Sequence, residues 1–90
     1  MTNITLYGKP SSTYEYMKMM LLNSAQQSGV KINLKEVNSV DVFIQEQLDH
    51  IPAVKIEHEI IQQEQKDINN YIERVKKVLL RKSDYDAVSN

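Results

Sequence analysis

Residues 2 to 15 read Thr2-Asn3-Ile4-Thr5-Leu6-Tyr7-Gly8-Lys9-Pro10-Ser11-Ser12-Thr13-Tyr14-Glu15, and this stretch sets the architecture. Ile4 and Leu6 stand at alternate positions and Thr2 and Thr5 are β-branched, the composition of a strand with one buried face. Gly8-Lys9-Pro10-Ser11 then breaks it. From Tyr14 the apolar positions Tyr14, Met17, Leu21 and Ala25 recur at three- and four-residue steps, with Met20 and Leu22 widening the stripe. Gly29 offers a left-handed stop, so the spacing predicts a helix of about four turns.

Outward from that unit, Val30, Ile32 and Leu34 alternate with Lys31, Asn33 and Lys35, a half-buried strand running to Val37. Asn38 or Ser39 can cap a short helix with Val40, Phe43, Ile44 and Leu48 on one face. It must end by His50, because Ile51 precedes Pro52. Ala53 to Ile56 and Ile60-Ile61 read as a hairpin turning through Glu57-His58-Glu59, although that turn lacks glycine or asparagine. Ile68, Tyr71, Ile72, Val75, Val78 and Leu79 form a second helical stripe ending near Lys82, and residues 83–90 are expected as a flexible tail.

The order βαβ-α-ββα predicts an α/β fold: one domain over residues 1–82, built on a four-stranded mixed sheet with helices on both faces. Ninety residues leave room for a single core, and 41% apolar against 26% charged residues suits a globule. With 11 Lys plus Arg against 12 Asp plus Glu, the net charge of −1 removes the bulk electrostatic case for binding nucleic acid or an anionic membrane. No apolar run approaches a membrane span, and Met1 to Leu6 lacks a secretory pattern, so a cytoplasmic protein is expected. The chain has no cysteine, which excludes disulfides, thiolate metal sites and any protein thiolate nucleophile.

The element order, with Ile51-Pro52 leading into the hairpin, resembles the thioredoxin fold in its compact glutaredoxin-sized form. The run Ile4-Thr5-Leu6-Tyr7-Gly8-Lys9-Pro10 is similar to the strand and loop that carry the Cys-x-x-Cys motif to the first helix of glutaredoxin-like proteins. In ungapped register Ser12 and Glu15 occupy the two cysteine positions. The resemblance covers most of residues 2 to 82. It implies a cis-proline at Pro52 facing the start of the first helix, with the main chain of Ile51 pairing with an extended peptide or glutathione. It also implies that Lys9 stands where many glutaredoxins place a lysine for a glutathione carboxylate. Two departures limit it. Neither sulfur is present, so thiol–disulfide exchange is not expected. The family's Gly-rich turn, which helps hold glutathione, is replaced by Gln62-Gln63-Glu64-Gln65.

Ser12-Thr13-Tyr14-Glu15 also reads as a capping box, with Ser12 accepting from the N–H of Glu15 and Glu15 reaching back to the N–H of Ser12. The chemical alternative makes Ser12 a nucleophile or a thiolate-binding hydroxyl with Glu15 as base. No histidine at a recognisable spacing and no oxyanion motif accompany it, which favours the cap. Tyr14 suits either stacking on a ligand or packing against Tyr16 or the neighbouring loop. Met17 and Met20 fall on the core stripe, and only Met19 is expected at the surface. His50 and His58 lack a second ligand set, so neither a metal nor a cofactor is expected. The basic end of the last helix reads as a solvated face that complements the helix dipole rather than as a nucleic-acid site.

The leading expectation is a redox-inactive binding or accessory module acting through the cleft formed by Lys9, Ser12, Tyr14, Glu15, Ile51 and Pro52. Its partner would be an extended peptide segment of another protein or a small thiol such as glutathione. The alternative is a glutathione-transferase-like enzyme in which Ser12 stabilises a substrate thiolate. A third option is an oligomerisation or accessory module without a cleft ligand.

Overall fold

The computed structural model describes residues 1–61 and 68–89, with side chains described over 1–61 and 69–81. The Gln62 to Gln65 turn, Lys66 and the side chains of Ile68 and Lys82 therefore lie outside the described residues. The elements run β1 (Thr2–Tyr7), α1 (Ser12–Gln27), β2 (Ile32–Val37), α2 (Val40–Gln45), β3 (Ala53–Ile56), β4 (Glu59–Ile61) and α3 (Ile68–Ser89). The backbone of α3 continues past the stop expected near Lys82, so residues 83–89, expected as a tail, are helical. Ser83 to Ser89 contains neither glycine nor proline, and nothing local ends the helix.

The four strands form one mixed sheet in the order β2-β1-β3-β4. β1 lies parallel to β2, Ile4 opposite Leu34, and antiparallel to β3, Ile4 opposite Ile56. β3 and β4 close the hairpin. α1 supplies the crossover that a parallel pair requires.

Strand parity sorts the core into two clusters. Ile4, Leu6, Val54, Ile56 and Ile61 face α1 and α3, where Tyr14, Met17, Leu21, Tyr71, Val75, Val78 and Leu79 cover them. On the opposite face Tyr7 and Ala53 meet Phe43 of α2, with Val37, Val42 and Leu48 at the margin. The Tyr7 and Phe43 rings pack edge to face, centroids 6.4 Å apart. Met19 is exposed and Met17 buried, following the stripe.

Helix ends are set locally. Gly29 adopts φ 69°, while Val30 N–H donates to the Ala25 carbonyl and Gly29 N–H to that of Gln26, a Schellman stop. α2 ends the same way at Gln47, φ 58°, with Leu48 N–H donating to the Phe43 carbonyl. The hairpin turns without glycine because Glu57, φ 55°, is tied to β1 twice. Its N–H donates to the Asn3 carbonyl at 2.8 Å, and its Oε1 accepts from Asn3 N–H at 2.9 Å. Those two bonds offset the cost of a left-handed non-glycine residue.

Besides the packing of α3 on the sheet, one of its atoms hydrogen-bonds both hairpin strands. The buried Tyr71 hydroxyl accepts from Val54 N–H at 3.1 Å and donates to the Ile61 carbonyl. Val54 and Ile61 are register partners, so the tyrosine bridges β3 and β4 at the end of their ladder. Burial pushes the Tyr71 hydroxyl well above the usual tyrosine range, because the phenolate would be stranded away from water.

Candidate functional site

The six residues singled out in the sequence lie on three segments: the β1–α1 loop, the first turn of α1, and the approach to β3. The start of α1 is capped by Ser11 rather than by Ser12. Ser11 has an extended backbone, its Oγ accepts from Tyr14 N–H at 3.1 Å, and its carbonyl accepts from Glu15 N–H at 3.0 Å. That carbonyl takes the first intrahelical bond, which defines the cap. The capping box expected of Ser12 and Glu15 is therefore displaced: Ser12 is the first helical residue, and Tyr14 occupies the position where the reciprocal glutamate would sit. Ser12 and Glu15 are left exposed.

Tyr14 is buried, with its ring laid against Gly8. A Cβ placed on Gly8 would come within 2.8 Å of Tyr14 Cδ2 and 3.2 Å of Pro52 Cβ. Glycine is required at this position by the close approach of both. The contact packs the β1–α1 loop, the first turn of α1 and Pro52 together. The Ile51–Pro52 peptide is cis.

The Tyr14 hydroxyl donates to Glu36 Oε1 at 2.7 Å, and Lys18 Nζ lies 3.2 Å from Glu36 Oε2. Burial, then the Glu36 hydrogen bond and charge, push Tyr14 well above the usual tyrosine range. The Tyr14 hydroxyl, followed by Lys18, holds Glu36 below the usual carboxylate range. Tyr14 thus packs against the neighbouring loop, one of the two roles its position allowed, with its hydroxyl already engaged. Sequence reasoning passed over Glu36, yet a signal was available: it shares strand parity with Ile32 and Leu34, whose side chains face the core. The packing role of Gly8 and the capping role of Ser11 come from the structure.

Around this packed floor, Lys9, Ser12, Glu15 and Ile51 are exposed and Pro52 is buried. Ile51 keeps 42% of its surface. Among the described residues its main chain makes no hydrogen bond, and none joins Lys9, Ser12 or Glu15 to Ile51. The arrangement offers an N–H and C=O pair without a hydrogen bond among the described residues, an apolar side chain, a hydroxyl and two opposite charges. No described histidine hydrogen-bonds Ser12 to take its proton.

Among the described residues no three His, Asp or Glu side chains gather as a metal-binding set, and no helix is long and apolar enough to cross a membrane. An apolar depression between α1 and α3, bounded by Met17, Leu21, Ile72 and Leu79, encloses about 10 Å³, barely one water's worth. The chain matches no family model and no curated protein.

Proposed function

We propose that this chain is a thioredoxin-like domain without a thiol that works by binding an extended polypeptide segment beside Ile51. The single observation that carries the reading is the exposed Ile51, whose main chain makes no hydrogen bond among the described residues, next to the Gly8–Tyr14–Pro52 contact. A strand's worth of partner backbone can pair there, and the partner's side chains would meet Ile51, Lys9 and Ser12. The strand order and the parallel β1–β2 pair joined by α1 support the thioredoxin-like assignment. With no cysteine in the chain, electron transfer through a protein thiolate is closed to it.

The test is a titration of the labelled protein with extended peptides and, separately, with glutathione, followed by amide shifts. Peptide-induced shifts centred on Ile51, Lys9 and Ser12 are expected, with disulfide reductase assays blank. Shifts confined to other surfaces, or thiol-dependent turnover by the pure chain, would overturn the reading. Shifts with glutathione alone, lost in Ser12→Ala, would replace it with the thiolate-stabilising alternative.

A further inference from the structure

The face of the sheet that carries α2 is unequally covered. Parity and register place Tyr7, Val37 and Ala53 in one row across three strands, and Lys35, Thr5, Lys55 and Ile60 in the next row across all four. α2 closes the first row. Six residues of helix span only about 9 Å, against about 20 Å for a six-residue strand, and the second row is only partly covered: Lys35 is exposed and Thr5, Lys55 and Ile60 are half-buried. Lys35 and Lys55 flank Thr5 there, two strand spacings or about 10 Å apart at their bases. Lys31 follows by parity at the end of β2. None of the three lysines has an ion pair among the described residues. Glu57, at the hairpin end of this face, is engaged by Asn3.

The helix beside this half-covered row has the opposite character. Residues 38–50 carry Asp41, Glu46 and Asp49 and no lysine or arginine. Val40 and Ile44, one helical turn apart, are 50% and 70% exposed, an apolar ridge on a helix whose Phe43 already fills its own core. One side of the molecule therefore bears an acidic, apolar ridge next to a cationic strip that ends in the half-buried Ile60.

We propose that two copies of this chain associate about a two-fold axis through this side, α2 of each lying on the Lys35–Thr5–Lys55–Ile60 row of the other. The occupant is a second copy because this surface holds both halves of the match: opposite charges meet, and Val40 and Ile44 gain cover on Ile60. An isologous contact of this kind closes at the dimer.

Sedimentation velocity of the full chain from micromolar to millimolar concentration tests this. A species of twice the 10.5 kDa chain mass is expected, shifting towards monomer as salt screens the charge pairs. Ile44→Asp is expected to abolish it. A Lys35→Glu/Lys55→Glu chain and an Asp41→Lys/Glu46→Lys chain are each expected to self-associate at least about tenfold more weakly, and their equimolar mixture to regain the wild-type dimer, because both contacts are then complementary. Recovery on mixing also shows that both variants are folded. A wild-type chain that stays at 10.5 kDa throughout, charge variants that dimerise unchanged, or a mixture that fails to recover would overturn the proposal. So would a monomer that captures an oligonucleotide through Lys35 and Lys55.

Discussion

The two faces of the sheet carry the same strands and are finished in opposite ways. On one, α1 and α3 seal Leu6, Val54 and Ile56 completely, with no exposure left to any of the three. On the other, α2 seals Tyr7 and Ala53 and leaves the row through Thr5 half-covered. The difference teaches that coverage follows helix length: α1 and α3 are longer than the strands, and α2 is shorter. The sealed face supplies stability, and the half-open one supplies surface.

The sharpest way to break that contrast is to substitute neighbours that point to opposite faces. Leu6→Ala should cost about 2–5 kcal/mol by transfer and cavity formation, whereas Thr5→Ala, which loses a hydrogen bond to Tyr7, should cost about 0.5–1.5 kcal/mol. Urea denaturation of both variants measures the gap. Comparable losses would mean that the half-covered row is packed after all.

Next in size is the tyrosine that ties α3 to the hairpin. Tyr71→Phe keeps the ring and leaves Val54 N–H and Ile61 C=O without their bridge, a loss of about 1–3 kcal/mol. Hydrogen exchange should accelerate at Val54. The pH dependence has a definite sign. Tyr71 and Tyr14 are both raised above the ordinary value of 10.0, so their contribution is full below pH ~10 and is lost as pH rises beyond it, the unfolded chain ionising first. Tyr71→Phe should remove part of that alkaline loss of stability.

The helix start separates two adjacent serines. Ser11→Ala should cost about 1 kcal/mol through loss of the cap to Tyr14 N–H, and Ser12→Ala no more than about 0.5 kcal/mol. Thermal melts of the two variants distinguish them, and the reverse ranking would restore the capping box at Ser12 and Glu15.

Smallest is the surface carboxylate on the sealed side. Because Glu36 is held low by Tyr14 and Lys18, its contribution is full above the unfolded value near ~4.3 and is lost as pH falls through its lowered folded value. Glu36→Gln should flatten that part of the acid limb in stability measured against pH.

Periodicity made most of the fold legible. The alternation in β1, the stripes of α1 and α3 and the Gly29 stop are written within a few residues of one another, and a βαβ opening with a terminal hairpin implies a mixed sheet, whose order β2-β1-β3-β4 is fixed by the structure. The errors fell where two neighbours were chemically equivalent or where a remote group decided. Ser11 and Ser12 carry the same hydroxyl, and only the backbone path out of Pro10 selects the first as cap. The turn at Glu57 lacked a turn residue because its compensation comes from Asn3, far away in sequence. Of the candidate site, Lys9, Ser12, Glu15 and Ile51 could be named from the chain and are exposed. The burial of Tyr14 was visible in the stripe, but its partner Glu36 was not.

From its sequence alone, the chain is committed to one small α/β domain with alternating strands, two amphipathic helices and no sulfur nucleophile. Those properties reside in side-chain chemistry and short-range spacing. Tertiary structure decided that Gly8, Tyr14 and Pro52 form a single packed contact, that Tyr71 bridges β3 and β4, and that a six-residue helix leaves one row of a sheet face only half-covered. Each of these joins residues distant along the chain, whose meeting depends on how strands pair and helices pack rather than on any local preference.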